Sequence, residues 1–188
     1  KGKGKGKGKV SGPAVAKSPT PVLSTFEKVL FKVCRITEVI KHPEADALYL
    51  CKVDVGEEQP KQMVTNIVNQ YSMEDLSNRL IACVVNLKPQ KMRGQLSEVM
   101  ILAGDNRKYE PDGPIKVSLW TPSENAQPGE RIFVEEDGEP KTTPPQCNAK
   151  TWTTVDVMMG VKDGFAAFDG KVLASEAGRL TVDGIQDH

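Results

Sequence analysis

The sequence predicts an all-β protein: a five-stranded barrel with one short helix, followed by a small β-rich C-terminal subdomain. Three observations support this fold class. Runs rich in Val, Ile, Phe and Thr recur from Phe31 onward, and β-branched and aromatic residues favour strands. Gly and Pro separate the later runs, as they do between short strands. The segment Ser72–Asp75 has the Ser-x-x-acid pattern that begins a helix.

The predicted elements of the first part follow one order. The strands are Phe31–Ile40, Leu48–Val55, Gln62–Val68, Leu80–Val85 and Val99–Ala103, with a helix from Ser72 to about Asn78 after the third strand. Three strands, a helix and two strands is the element order of an oligonucleotide-binding (OB) barrel. We therefore expect an OB-fold domain over residues 26–120.

A second block of short strands is predicted beyond Trp120, where several prolines and glycines act as breakers. The predicted strands are Arg131–Glu135, Trp152–Met159, Gly164–Phe168 and Arg179–Val182. So short a block gives little core of its own. We expect residues 121–188 to form a subdomain that packs on the barrel.

The N-terminal residues 1–25 are predicted to be a disordered basic linker. The first twenty residues contain six lysines, no acidic residue and no aromatic residue, so they cannot bury enough apolar surface to offset ordering. Removing these six from the 25 basic residues leaves 19 against 25 acidic ones, a net charge of −6. The tract is either a solvated linker or a phosphate-attracting arm. The acidic body needs a focused basic patch if it binds nucleic acid.

Several functional classes are disfavoured by composition. The four cysteines form no C-x-x-C pair and only two histidines are present, so neither a metal site nor a Cys/His or Ser/His/Asp catalytic set is expected. We predict no enzyme activity and no cofactor. Cys34, Cys51 and Cys83 lie in apolar runs, which indicates buried reduced thiols and a cytoplasmic protein. No run approaches eighteen apolar residues, so no membrane span is expected.

One stretch is locally basic. From Arg79 to Gly94 there are four cations and no acidic residue. OB barrels bind ligands with strands 2 and 3 and with the loops between strands 1–2 and 4–5. Here these loops are Lys41–Ala47 and Asn86–Glu98. Cations on a loop are commonly only solvated, but their place in the second loop favours an anion-binding site.

The motifs in these loops are specific. They are NLKPQKMRG (Asn86–Gly94), KHPEADAL (Lys41–Leu48) and KVDVG (Lys52–Gly56). Together they resemble the tRNA-binding domain of the endothelial monocyte-activating polypeptide II family, over about Phe26–His188. That family includes the auxiliary protein of the multisynthetase complex and extensions of tyrosyl-, methionyl- or lysyl-tRNA synthetases. The segment Lys150–Asp156 resembles the family's C-terminal subdomain, which implies a monomeric pseudo-dimer.

The resemblance implies a set of RNA-binding residues, to which the basic stretch adds Arg79. The set is Asn69, Arg79, Asn86, Lys88, Lys91, Met92, Arg93, Ser97 and Met100. Some of these have a structural alternative. Met92 and Met100 could fill the core, Ser97 could cap a strand, and Asn69 could bond to its own turn. We expect His42 and Asp46 to structure the first loop.

The function that the resemblance implies is a non-catalytic tRNA-binding module, attached to or associated with an aminoacyl-tRNA synthetase, whose tRNA affinity it raises. Aromatic residues make up only 5% of the chain, with Tyr49 and Tyr71 the expected exposed ones. Binding should therefore depend on phosphates and on the shape of the tRNA. The alternative is a cytokine-like or protein-interaction module, because Lys32–Glu38 resembles a segment linked to that activity in the family. A barrel strand explains the same segment.

Overall fold

The computed structural model describes residues 22–107 and 110–184. A short 3-10 helix at Phe26–Lys28 comes first. The strands and helices that follow are β1 Phe31–His42, β2 Ala45–Asp54, β3 Lys61–Thr65, α1 Met73–Leu76, β4 Leu80–Val84, β5 Gln90–Met92, β6 Gln95–Ser97, β7 Met100–Ile101, β8 Ala103–Asp105, β9 Val117–Thr121, β10 Phe133–Val134, α2 Ala149–Asp156, β11 Met159–Lys162, β12 Phe165–Phe168, β13 Lys171–Ser175, β14 Gly178–Arg179 and β15 Thr181–Val182. None of the described helices is long and apolar enough to cross a membrane.

The first part is a nearly closed antiparallel barrel in the strand order β3-β2-β1-β4-β7. The residues after β6 complete the closure against β3. The amide of Glu98 donates to the carbonyl of Gln62 at 2.8 Å, and the amide of Val64 donates to Ser97 Oγ at 3.0 Å. The predicted OB-like fold class is confirmed. The predicted helix start is confirmed too, because Ser72 and Asp75 form a reciprocal capping box.

Both faces are buried in β4 and in the first half of β1, residues 31–36. In β4, Ile81 and Cys83 point into the barrel core, whereas Ala82 and Val84 point into a second core. This alternation explains why the LIACV run is apolar at every position. We call the second core the shared core, because it joins β1 and β4 to strands β12 and β13 of the C-terminal part.

The C-terminal part forms a second sheet in the order β10-β13-β12-β15-β9-β8, with β11 on β12 and β14 on β13. Strand β9 spans the boundary expected at residue 120 and pairs with β8 on one side and β15 on the other. The chain before β10 also extends the ladder of β1, because the Gly129 amide donates to the Val33 carbonyl at 2.8 Å. The two parts are therefore joined by backbone hydrogen bonds as well as by the shared core.

The strand predicted over Trp152–Met159 is wrong: most of it lies in helix α2. Asn148 caps this helix, its side chain accepting from the Thr151 amide. The hydroxyls of Thr153 and Thr154 bond to carbonyls four residues earlier, each at 3.0 Å. A threonine hydroxyl inside a helix can donate to a backbone carbonyl of the preceding turn in this way. The β-branched residues of this segment are therefore compatible with a helix.

Three other expectations differ from the structure. The loop expected at Lys41–Ala47 is a tight turn, since β1 continues to His42 and β2 begins at Ala45. The single fifth strand expected at Val99–Ala103 is divided between β7 and β8. Tyr49 is buried at 4% exposure, because its ring lies in the barrel core and its hydroxyl donates to the Tyr71 carbonyl at 3.1 Å.

The remaining predictions of local structure have mixed outcomes. The sequence did not predict β9, β11, β13 or the β5–β6 pair as strands. The prediction that Cys34, Cys51 and Cys83 are buried thiols is confirmed, and burial raises the pKa of Cys51 to about 12. The predicted disordered linker falls outside the described residues, except for residues 22–25.

The contact between Gly56 and Gly129 gives a stability prediction. A Cβ on Gly129 would lie 2.9 Å from the Gly56 Cα, and Gly129 has φ +99°. Gly129→Ala should therefore add a steric clash to backbone strain. Gly138→Ala is the matched control, because Gly138 has φ +74° but nothing within 4 Å of a Cβ. We expect urea denaturation to show Gly129→Ala about 1–3 kcal/mol less stable than Gly138→Ala. Equal stability of the two variants would contradict the close contact.

Candidate nucleic-acid interface

The expected second ligand loop is an ordered β-hairpin. Strands β5 and β6 pair with Lys91 opposite Leu96 and Met92 opposite Gln95. The turn residues Arg93 and Gly94 have φ +48° and +83°. Two consecutive positive φ values are typical of the type I′ turn that suits the twist of a two-residue hairpin. The side chain of Arg93 is therefore displayed at the tip of a defined turn.

Three cations of this hairpin region are exposed: Lys88, Lys91 and Arg93. We call them the hairpin cations. None of them is in an ion pair with a described residue, whereas cations such as Lys52 and Arg179 pair with nearby carboxylates at 2.7 and 2.8 Å. The hairpin cations are consequently free to neutralise the charge of a ligand.

The hairpin is fixed to the barrel through β3. Ser97 Oγ accepts from the Val64 amide and donates to the Val99 carbonyl, both at 3.0 Å. Gln62 Nε2 donates to the Leu96 carbonyl at 2.7 Å, and the Gln62 amide donates to the Glu98 carboxylate at 2.8 Å. The Ser97 hydroxyl thus has a structural role, and an RNA contact by it stays a prediction.

Asn86 is held at the base of the hairpin by three backbone groups. Its Oδ1 accepts from the Leu30 amide at 2.8 Å. Its Nδ2 donates to the carbonyls of Lys28 and Pro145 at 3.1 and 2.8 Å. Both donor hydrogens of the amide are therefore occupied. Asn86 ties the N-terminal segment and the C-terminal part to the end of β4, and its predicted contact with RNA is untested.

Arg79 lies just before β4, at the opposite end of this strand from Asn86. Its guanidinium donates to Thr121 Oγ1 at 3.1 Å and forms an ion pair with Asp183. The same group lies over the Tyr71 ring, 5.2 Å from the centroid. The structure therefore does not bring Arg79 together with the hairpin cations, and its contacts join the barrel to the C-terminal part.

Met92 and Met100 line a groove of about 1010 Å³, together with Lys88 and Ser97. Met100, in β7, pairs with Val84 of β4 and also packs against the shared core. One wall is the hairpin and the end of β3; the other is formed by Trp152 and the first residues of α2. We call this space the hairpin–α2 groove. Both methionines are half-buried, so they contribute to packing and to the groove surface.

Asn69 is exposed in the turn that follows β3, and its side chain has no hydrogen bond to a described residue. It does not line the hairpin–α2 groove, although Asn66 and Gln70 on either side of it do. The alternative that Asn69 bonds to its own turn finds no support among the described residues. Its predicted contact with RNA is untested.

The β1–β2 turn lies near the tip of the hairpin. His42 is buried, and its Nδ1 accepts from the Glu44 amide at 3.1 Å, as expected of a residue that structures this turn. The Glu44 carboxylate lies 4.0 Å from the position that a Cβ on Gly94 would occupy. A negative charge is thus placed beside the hairpin cations. The sequence motifs do not single out Glu44, since only the fold brings the two turns together.

The hydrogen bonds of Asn86 give a testable distinction between a structural residue and a surface residue. Asn86→Ala would leave the Leu30 amide and two carbonyls without these partners. We expect it to lower the free energy of unfolding by about 2–4 kcal/mol. Asn69→Ala is the matched control, because Asn69 is exposed, and we expect it to change stability by less than about 0.5 kcal/mol. Thermal or urea unfolding measures both. Equal stability of the two variants would contradict the structural role of Asn86.

Comparison with known proteins identifies the family. The sequence profile of the family described as "Putative tRNA binding domain" matches residues 31–131. The cytoplasmic tyrosine–tRNA ligase of Danio rerio is 37% identical over 157 residues, which are 80% of this chain and 28% of that protein. The aminoacyl tRNA synthase complex-interacting multifunctional protein 1 of Mus musculus is 42% identical over 101 residues, or 53% of this chain and 30% of that protein. The chain thus spans less than a third of the length of these relatives.

Solved structures give the same result. The C-terminal domain of Plasmodium vivax p43 superposes with a TM-score of 0.75 and 25% identity, covering 86% of this chain and 95% of that one. A MetRS-related protein from Pyrococcus horikoshii has a TM-score of 0.52 and 28% identity, over 61% of this chain and 100% of that one. The resemblance found in the sequence motifs is confirmed, and the chain belongs to the tRNA-binding domain family.

Proposed function

We propose that this chain binds the phosphate backbone of folded tRNA with the hairpin cations, Lys88, Lys91 and Arg93. The observation that supports this most directly is their display, exposed and without ion pairs, on a hairpin that is hydrogen-bonded to the barrel. Neutralising phosphates releases counterions, which is the main source of sequence-independent affinity. Arg93 can hold a phosphate with two parallel hydrogen bonds, whereas the lysines act as point charges.

The barrel serves this function without catalysing a reaction, as a cytoplasmic module attached to or associated with an aminoacyl-tRNA synthetase. The relatives named above include a tyrosine–tRNA ligase and a protein that interacts with the synthetase complex. A tRNA held by the module stays close to the partner's active site, so its effective concentration rises. The module would therefore raise the apparent tRNA affinity of the synthetase. We propose that it acts as a monomeric pseudo-dimer, with the C-terminal part in place of a second subunit.

The cytokine-like alternative has less support. Lys32–Glu38 lies within β1, where Val33, Cys34 and Ile36 are fully buried. Of the other side chains in this segment, only those of Thr37 and Glu38 are exposed to a protein partner. We propose that the segment acts as a barrel strand, and that Asn86, Ser97 and Arg79 act by positioning the RNA-binding surface. Asn69, Met92 and Met100 remain proposed contacts at its edge.

Removal of the lysines in the hairpin tests the proposal. Lys88→Ala/Lys91→Ala should weaken binding of total tRNA on the order of tenfold at moderate salt, because two phosphate contacts are lost. The slope of log affinity against log salt should become shallower by roughly one unit per lysine. Fluorescence titration of labelled tRNA across a salt series measures both quantities.

The matched control is Lys141→Ala/Lys162→Ala, which removes two exposed lysines of the C-terminal part and gives the same net charge. This control should bind tRNA nearly as well as the unmodified chain. An equal loss in both variants would show that net charge alone sets the affinity. Unchanged binding by Lys88→Ala/Lys91→Ala would place the RNA site elsewhere.

Glu44 gives a prediction of the opposite sign. Its carboxylate lies close to the hairpin tip, so it opposes an incoming phosphate. Glu44→Gln should raise tRNA affinity by roughly two- to fivefold at low salt, the size expected for one exposed charge interaction. Glu58→Gln is the control, since Glu58 is exposed beyond the other end of β2. The same titration measures both, and a decrease in affinity for Glu44→Gln would show that its carboxylate supports binding.

A further inference from the structure

The hairpin–α2 groove has features that phosphate binding by the hairpin does not use. Its volume is about 1010 Å³, at the upper end of the range of roughly 300–1,000 Å³ found for pockets that bind drug-sized ligands. It therefore has room for a nucleotide or more. We propose that this groove takes unpaired nucleotides of the bound RNA, with a base against Trp152 and its edge on carboxamides of the walls. This inference rests on the proposed function, since it concerns a second contact of the same RNA.

Four carboxamides contribute to the polar lining of the groove. Asn66 and Gln70 belong to the wall after β3, Gln90 to the hairpin, and Gln146 to the wall before α2. All four are exposed, and their side-chain amides have no hydrogen bond to a residue within the described ranges. A carboxamide offers two donors and an acceptor, which suits the edge of an unpaired base. Because such carboxamides lie on both walls, the groove can form hydrogen bonds with the edge of an unpaired base.

The apolar part of the groove supplies a surface for stacking. Trp152 is half-buried, with its ring 6.2 Å from that of Phe31, and it lines the groove wall. Contact with the shared core holds the indole in place, so stacking on it costs little side-chain entropy. Met92 and Met100 face the same space with flexible, polarisable side chains. An aromatic wall with adaptable neighbours is typical of sites for single-stranded nucleic acid.

The charges in and beside the groove are compatible with an RNA backbone. Its two carboxylates have partners: Glu98 accepts from the Gln62 amide, and Asp105 accepts from Arg107 Nε at 2.9 Å. Arg107 holds the pKa of Asp105 below its usual range. Lys88 lies at the edge without an ion pair to any described residue, and Lys91 and Arg93 stand on the hairpin beside it. Glu98 keeps its charge because its partner is an uncharged amide, so the positive potential lies at the rim formed by the hairpin cations.

A nucleotide fits this groove better than an extended peptide. Peptides that bind barrels by strand addition need free backbone groups on a strand edge. The edge of β3 in the groove is already occupied, because the Val64 amide donates to Ser97 Oγ and the Gln62 carbonyl accepts from the Glu98 amide. Strand addition at this edge is therefore blocked. The four carboxamides and the face of Trp152 instead suit the edge and the face of a base.

The test compares two RNAs with the full chain. One is a blunt stem-loop, and the other is the same stem-loop with four unpaired nucleotides at its 3′ end. The unmodified chain should bind the tailed RNA about fivefold more tightly or better, the low end for one stacked base. Asn66→Ala/Gln146→Ala removes one carboxamide from each wall. It should bind the blunt RNA normally and prefer the tailed RNA by less than twofold.

Two further variants make the test specific. Gln59→Ala/Asn125→Ala removes one Gln and one Asn that are exposed outside the groove, and it should keep the full preference. Trp152→Phe should abolish the quenching of tryptophan emission by the tailed RNA, because Trp120 is only 4% exposed and Trp152 is the indole at the groove.

The outcomes separate the two proposals. If the tailed RNA is not preferred, or if Asn66→Ala/Gln146→Ala keeps the preference, the groove does not bind unpaired nucleotides, even where the stem still binds. Quenching by an unfolded polypeptide but not by the tailed RNA would make the groove a protein site and overturn the inference. If the unmodified chain binds neither the blunt stem-loop nor tRNA, the proposed function itself is overturned.

Discussion

The burial of both faces of β4 and of the first half of β1 is the constraint on which the rest of the structure depends. A strand at the surface of a small barrel normally has one face in solvent, with polar residues there. In β4, Ala82 and Val84 occupy those positions instead and are fully buried by the C-terminal part. Exposure of this face would return a continuous apolar surface to water, which is unfavourable. The C-terminal part is consequently needed to complete the core of the barrel strands.

The same constraint determines where the hairpin points. The chain leaves β4 at a fixed position, and Asn86 immediately bonds to segments on both sides of it. At the other end of the hairpin, Ser97 and Glu98 bond to β3. A loop fixed at both ends has little conformational freedom to lose when it binds. Its cations can therefore act together on a rigid ligand, which isolated lysines on a mobile loop do less well.

The sequence predicted much of the barrel because the relevant signals are local. Alternating apolar runs and the Ser72–Asp75 capping box each depend on residues that are near one another in the chain. Two features were not predicted, one because its partners are distant in the chain and the other because two local signals compete. Asn86 bonds to Leu30 and Pro145, which are 56 and 59 residues away, and no local pattern shows this. The misassigned Trp152–Met159 segment has strand-forming threonines whose hydroxyls bond within a helix. For the site, the sequence selected the cations, whereas Glu44 and Trp152 required the fold.

The distribution of charge is consistent with the proposed binding of RNA at one place on an acidic body. Without the lysines of its first twenty residues, the chain has a net charge of −6. Many cations outside the hairpin are paired, such as Lys171 with Glu136 at 2.6 Å and Arg179 with Glu135 at 2.8 Å. These pairs attract phosphate weakly, and the surplus carboxylates repel it. If the hairpin cations bind phosphate as proposed, repulsion by the surplus carboxylates elsewhere adds to specificity for one docking geometry. An evenly basic surface would bind more tightly but hold the tRNA in many orientations.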